Sequence, residues 1–291
     1  METNELIKKV RKIEIRTRRL SKNIFSGEYH SAFKGKGMAF SEVREYQFGD
    51  DIRTIDWNVT ARFNHPYVKV FEEERELTVI LLVDVSGSGN FGTREQLKKD
   101  LITELCAVLS FSSLQNNDKI GLIFFSDRIE KFIPPKKGRT HVLRIIRELI
   151  DFKPEGQGTD ISVALKYTLN VIKKRSIVFI LSDFISKDFS EPMKIISKKH
   201  DIVAVHIYDK REEEYPDIGL ITVKDAETGE IITFDTSVNS VRQNFRTWWK
   251  RKQESLKELL NSNKIDVINL ATDESYVKPL INFFKKRGSR F

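Results

Sequence analysis

Apolar residues along this chain fall into short unbroken runs, separated by longer stretches with helical spacing. From residue 77 the alternation is regular. "LTVILLVDV" (77–85) reads as a strand, 94–114 as a helix, "KIGLIFFS" (119–126) as a strand and "RIEKFIPP" (128–135) as a short edge strand. "THVLRIIRELIDF" (140–152) and 161–174 read as helices, "SIVFILSD" (176–183) as a strand, 188–199 as a helix and "DIVAVHIYD" (201–209) as a strand. A hairpin-like pair follows, "GLITVKD" and "EIITFDT", then a long helix over 239–262, the strand "KIDVINLA" and a last helix near 275–286. β-Branched runs without polar alternation imply strands covered on both faces, hence a doubly wound, mostly parallel α/β sheet. Such a sheet binds ligands at the carboxyl ends of its strands, near the point where strand order reverses.

Before residue 77 the pattern changes. Leu6, Val10, Ile13 and Leu20 stand at near-helical spacing among Lys and Arg, which predicts a basic amphipathic helix within 1–25. Residues 26–76 are rich in Gly, aromatic and charged residues, and predict a small β-rich segment packed on the main domain of 77–291. Within it, "DDIRTIDWNVTARF" (50–63) is expected to form a clasp in which the acids pair with Arg53 and Trp57 anchors it to the sheet. The longest apolar run, "TVILLV", is far short of a membrane span. The N-terminus lacks the apolar stretch of a secretory signal. The one cysteine, Cys106, lies in an apolar helical pattern and reads as a buried thiol, which together suggests a cytoplasmic protein.

The net charge of +8 is concentrated at the two ends. Residues 1–36 carry ten Lys/Arg against four acids, and 242–291 carry twelve against five. Those ends could meet nucleic acid, an anionic membrane surface (a weak peripheral contact) or an acidic protein. "RTWWKRK" (246–252) mixes aromatic and basic residues as stacking platforms do. Val241, Phe245, Trp248, Leu256 and Leu259 nevertheless form one helical stripe, so core packing accounts for much of it and leaves Trp249 beside the stripe.

The chemistry centres on "VDVSGSGNFG" (83–92), which contains two incompatible motifs. Gly87, Gly89 and Gly92 spell the GxGxxG of a dinucleotide-binding turn, whereas Asp84, Ser86 and Ser88 spell Asp-x-Ser-x-Ser, three oxygen donors for a hard metal ion. The nucleotide reading fails on context. A carboxylate ends the strand where pyrophosphate would have to approach, and the acid expected about 20 residues onward, at the tip of a second strand, is missing. The metal reading demands donors from other strand-end loops. "PEGQGTDIS" supplies Thr159 at a turn that opens a helix, and "VFILSDFIS" supplies Asp183 at a strand end.

Asp84-x-Ser86-x-Ser88, Thr159 and Asp183 together resemble the metal-ion-dependent adhesion site of von Willebrand factor A domains. The preceding stretch, "FSEVREYQFGDDIRTIDWNVTARFNHPYVKVFEEERELTV" (40–79), resembles the bacterial DUF58 family. The first resemblance implies Mg²⁺, or Mn²⁺ or Ca²⁺, touched directly by the hydroxyls of Ser86 and Ser88. It further implies Thr159 as a direct or water-mediated ligand, with Asp84 and Asp183 acting through water. Two carboxylates then roughly balance the ion, and a Glu or Asp of a partner protein supplies the last ligand. The second resemblance implies a cytoplasmic partner or adaptor of a MoxR-type AAA+ ATPase. Gly89 stands where many such domains carry Met, a departure that bears on loop packing more than on ligation. The expectation is therefore a non-enzymatic binding module. Two other classes compete: a metal-dependent hydrolase or phosphotransferase with Asp84 as nucleophile, and a nucleic-acid binder using the basic termini. The first lacks a second Asp at position 86 and a His near the motif.

Overall fold

The computed structural model describes residues 39–63, 65–72, 76–87, 97–156, 158–213, 215–224 and 231–289, together with Ile13, Glu14 and Thr17. The chain forms two compact units, Phe33–Glu76 and the remainder. Most of the N-terminal amphipathic helix lies outside the described residues. Ile13, Glu14 and Thr17 are helical, and Glu14 pairs with Arg139 at 2.7 Å.

In the smaller unit, β1 (Ala39–Glu45) pairs antiparallel with β2 (Tyr67–Glu72). Between them lie a 3₁₀ turn (Ile52–Thr54) and a helix, α1 (Trp57–Phe63), within a segment expected to be β-rich. Asp56 starts that helix by accepting from the N–H groups of Asn58 (3.0 Å) and Val59 (3.3 Å), as a helix-capping acid does. The expected acid–Arg53 pairing is replaced by others: Asp50 takes a two-pronged bond from Arg44 (2.7 and 2.8 Å), and Asp56 meets Lys69 at 3.5 Å. Trp57, expected as an anchor, is 68% exposed.

The larger unit is built on six strands in the order β10-β7-β6-β3-β4-β5. These are β3 (Thr78–Asp84), β4 (Lys119–Phe125), β5 (Ile129–Lys136), β6 (Ile177–Ser182), β7 (Asp201–Tyr208) and β10 (Asp266–Ala271). All neighbours run parallel except β5, which returns antiparallel along one edge. β6 is buried throughout, and β3 and β4 are buried at every position after their first residue. That burial on both faces is why these strands read as unbroken apolar runs. A separate hairpin pairs β8 (Leu220–Lys224) with β9 (Ile231–Asp235).

The helices differ in how much of their surface they bury. α2 (Lys98–Gln115) is apolar nearly all round and sits deep in the fold. Three of its buried hydroxyls are satisfied locally: Thr103, Ser110 and Ser113 each donate to the carbonyl four residues back, whereas Ser112 Oγ has no hydrogen-bond partner among the described residues. Cys106, on the same helix, is fully buried, and burial pushes its thiol far above its usual pKa, so it is inert. α3 (Arg139–Asp151) buries only Val142, Ile145, Ile146 and Leu149, one stripe at helical spacing. α4 (Ile161–Val171) is capped by Asp160, which accepts from Val163 N–H at 3.2 Å. α5 (Ser190–Lys199) and α7 (Val277–Gly288) complete the set with α6 (Asn239–Ser262).

On α6 the structure corrects the stripe. Trp249 is 5% exposed, whereas Trp248 is 44% exposed. A seven-residue step returns to almost the same helix face, so Trp249 lies over Leu256, while Trp248 is turned aside toward Phe245 (ring centroids 5.8 Å apart).

Near the end of the chain, the buried guanidinium of Arg287 on α7 pairs with Asp201 and with Asp266 (2.9 Å), the first residues of β7 and β10. It ties the terminal helix to two strands at once. Arg287→Ala leaves both half-exposed carboxylates without their cation, and about 2 kcal/mol of stability is expected to be lost. Urea unfolding of the two proteins measures it, through a lower midpoint with an unchanged slope.

Candidate functional site

Strand order reverses between β3 and β6: the chain builds outward from β3 to β4 and β5 on one side, and from β6 to β7 and β10 on the other. The crevice at the carboxyl ends of β3 and β6 is where such sheets bind ligands. Asp84 is the last residue of β3 and Asp183 directly follows β6. Both are buried, at 6% and 5% exposure.

Asp84 is held by its neighbours on two strands. Ser182 Oγ–H donates to its Oδ2 at 2.6 Å, and Ser86 N–H donates to its Oδ1 at 3.0 Å. Ser182 in turn accepts from Phe184 N–H at 3.0 Å, so the loop after β6 closes over the same group. Burial, reinforced by the Asp183 charge, pushes the Asp84 carboxyl up to about 7, and these hydrogen bonds offset only part of that. Two acids side by side away from water create a standing demand for positive charge.

Asp183 meets that demand in a way the sequence did not advertise. Its Oδ1 accepts from Ile185 N–H at 3.1 Å, and its Oδ2 lies 3.0 Å from Lys98 Nζ. Lys98, at the start of α2, is 2% exposed and also reaches Glu212 at 2.5 Å. A cation at a helix N-terminus opposes the helix dipole, so its burial there needs those two carboxylates. Burial works to lower the Lys98 pKa, but Asp183 and Glu212 outweigh it and hold the ammonium charged. Glu212 sits in the 3₁₀ turn after β7 (Lys210–Glu212), where its Oε2 accepts from Asp209 N–H at 3.1 Å. Asp209 accepts from Thr272 Oγ, beyond β10, at 2.8 Å. Hydrogen bonds and ion pairs thus link the carboxyl ends of β6, β7 and β10.

The third loop carries Thr159, which is 6% exposed. Its position is set from both sides. Asp160 N–H donates to Ser126 O at 2.9 Å, and Ser186 Oγ donates to Thr159 O at 3.2 Å. Upstream, Gly156 N–H donates to Glu130 Oε1 at 2.7 Å, the oxygen that also accepts from Ser126 Oγ at the same distance. Gly156 packs so closely there that a Cβ would lie 2.2 Å from both Ser126 Oγ and Asp127 Oδ1. Backbone strain appears beside Asp183: Phe184 has φ 58°, a left-handed conformation that bulky residues avoid. Its ring, 7% exposed, is held against Phe189 and His206.

Of the five sequence-assigned residues, Asp84, Ser86, Thr159 and Asp183 stand at this one end of the sheet, and all four are buried. Ser88 lies outside the described residues, as do Gly89 and Gly92. Among the described residues no three His, Cys, Asp or Glu side chains form a metal-binding group. The available donors are therefore carboxylates and hydroxyls, hard oxygens that suit Mg²⁺ or Ca²⁺ rather than zinc. Charge agrees with that donor set. Glu212 cancels Lys98, which leaves the two negative charges of Asp84 and Asp183 for a divalent ion to balance.

Sequence reasoning missed Lys98, Glu212, Ser182 and His206. The signal for Lys98 was a lysine in the first turn of an otherwise apolar helix; Glu212 in "DKREEE" looked like any solvated turn. Nor was a histidine expected near the motif, yet His206 is in register with Ser182 on the adjacent strand. Burial lowers its pKa, and its Nδ1 lies 3.2 Å from Asn269 Oδ1.

The six-stranded sheet, parallel but for one edge strand, is that of a doubly wound α/β domain. The chain belongs to the family described as protein of unknown function DUF58, whose model matches residues 42–255. An uncharacterized protein of Mycobacterium tuberculosis is 27% identical over 281 residues, covering 96% of this chain and 88% of that one. Among solved structures, an aerotolerance-related membrane protein of Bacteroides fragilis is similar in fold at TM-score 0.50. It is 15% identical, and the match covers 72% of this chain and 99% of that one. The Rpn10 VWA domain is a more distant likeness, at TM-score 0.40 and 11% identity, covering 72% and 95% of the two chains. Among the described residues, no helix is long and apolar enough to cross a membrane.

Two outcomes are expected from this geometry. The folded Asp84 carboxyl titrates near 7 and an unfolded one near 3.8, so in metal-free buffer the folded state binds the extra proton between those values. Stability should therefore fall as pH rises from about 4 to about 7, and Asp84→Asn should flatten that slope in pH-dependent urea unfolding. Gly156→Ala should force the 152–160 loop off Ser126 and Asp127 and lower stability by about 1–3 kcal/mol. Differential scanning fluorimetry should record that loss as a melting temperature below the parent's.

Proposed function

We propose that this chain is a metal-dependent protein-binding module rather than an enzyme. In this reading Asp84, Ser86, Ser88, Thr159 and Asp183 hold Mg²⁺, with Mn²⁺ or Ca²⁺ as alternatives, and a Glu or Asp side chain of a partner protein docks on the site. The bound cation supplies a doubly charged centre for that incoming carboxylate. The observation that carries the reading is the buried adjacency of Asp84 and Asp183 at the switch point of the sheet, with only hydroxyl and backbone donors to offset Asp84.

Each residue has a distinct task. Ser182 and Ser86 N–H orient the Asp84 carboxylate. Lys98 holds Asp183 in place while Glu212 cancels the added charge. Ser126, Gly156 and Ser186 fix the turn that carries Thr159. Without a cation, an approaching partner acid would face two acids in a water-poor crevice and be repelled, which makes docking switchable. The shape of the site argues against Asp84 as a nucleophile. It is 6% exposed and both of its oxygens are already hydrogen-bonded, a poor placement for attack on a substrate.

The partner we propose is a cytoplasmic AAA+ ATPase of the MoxR type or one of its clients, and DUF58 membership supports that choice. Pull-down of such an ATPase by the full chain tests both parts. Recovery is expected in Mg²⁺ and should drop at least tenfold in EDTA and in Asp84→Ala. Equal recovery under all three conditions would sink the proposal.

A further inference from the structure

At the opposite end of the sheet, where the strands begin, lies a cleft of about 520 Å³ within the size range of small-molecule sites. Arg175 lines it from the turn before β6, Lys194 and Lys198 from α5, and Lys264 from the turn between α6 and β10. Among the described residues, none of these four side chains forms an ion pair or a side-chain hydrogen bond. The one acid on the wall, Asp201, is already taken by Arg287.

Part of this basicity has an ordinary cause. α5 and α6 both end here, and cations compensate the negative ends of helix dipoles. Two half-charges leave most of four cations unbalanced, however, and Lys264 holds its place with φ 56°, where a lysine is unfavourable. A second observation is independent of charge. His200, also on the wall, is 1% exposed; Ser176 N–H donates to its Nδ1 at 3.3 Å. Nδ1 is thus the acceptor, and the ring proton of the neutral imidazole sits on Nε2. Burial, with help from Lys199 and Arg175, lowers the His200 pKa to about 4, so the ring is neutral. Nε2 finds no hydrogen-bond partner, and a buried donor without an acceptor is costly.

We infer that this cleft is a binding site for a small soluble phosphoryl compound, with Arg175, Lys194, Lys198 and Lys264 neutralising its charge above the buried His200 ring. A compact polyanion pairs with all four cations at once, which neither a cation nor an apolar ligand does. The site is separate from the Asp84 crevice and does not depend on the function proposed for it.

Calorimetric titration of the full chain with inorganic pyrophosphate tests the inference, at low ionic strength and after metal is stripped on a chelating resin. Saturable one-to-one binding is expected, weakened at least tenfold by Lys194→Ser with Lys264→Ser, both exposed positions that leave the fold intact. The control pair Lys153→Ser with Lys166→Ser removes the same charge from exposed positions outside the cleft, and should change affinity less than twofold. The ¹⁵N resonance of His200 Nε2 should also move on saturation. Equal weakening by the two double variants, a His200 signal that stays still, or no saturable binding would each overturn the assignment. Asp84→Ala should bind pyrophosphate like the parent, which separates this result from any failure of the metal site.

Discussion

Parallel pairing of β3 with β6 brings Asp84 and Asp183 together at the end of the sheet, and burial denies both of them water. Much of the surrounding structure answers to that constraint. Ser182 and the Ser86 amide turn toward Asp84, a lysine is buried at a helix start to face Asp183, and Glu212 is drawn in behind the lysine. Such an arrangement is costly unless every charge is paired, and replacing it with apolar side chains would in general stabilise a domain. Its presence at a ligand-binding crevice therefore points to use rather than to stability.

The loops around the pair show what holding it in place requires. Phe184 stays in a left-handed conformation because its ring is packed and its N–H is bonded to Ser182. Gly156 admits a close approach to Ser126 and Asp127 that no side chain would allow, and this places the turn leading to Thr159. Neither feature helps the core. Both make sense as local strain tolerated so that groups from separate loops meet at one point.

The two ends of the sheet have opposite electrical character, and the direction of the strands explains the difference. In a parallel sheet every crossover helix begins near one end and finishes near the other, so helix termini and strand tips of one polarity gather together. Carboxylates accumulate at the tips of β3 and β6, whereas unpaired cations accumulate where β6, β7 and β10 begin. One domain thus has two chemically distinct ends, one lined by buried carboxylates and the other by cations.

The fold was legible from the sequence because strands buried on both faces and helices with one apolar stripe leave unambiguous periods; the boundaries of α6 and the edge position of β5 were read directly, and the antiparallel direction of β5 came from the structure. Asp84, Ser86, Thr159 and Asp183 were legible for a related reason, since each stands at a strand tip or a helix start that the pattern itself marks. What the pattern hides is any contact between side chains far apart in the chain. Lys98 and Asp183 are 85 residues apart and Lys98 and Glu212 are 114 apart, so only the assembled sheet makes them partners. The reversal of Trp248 and Trp249 has a smaller cause of the same kind: two stripes one residue apart on a helix are equally periodic, and only the neighbouring surface chooses between them. Local hydrophobic period determined the elements and their order; long-range burial decided which charges had to be neutralised, and by which residues.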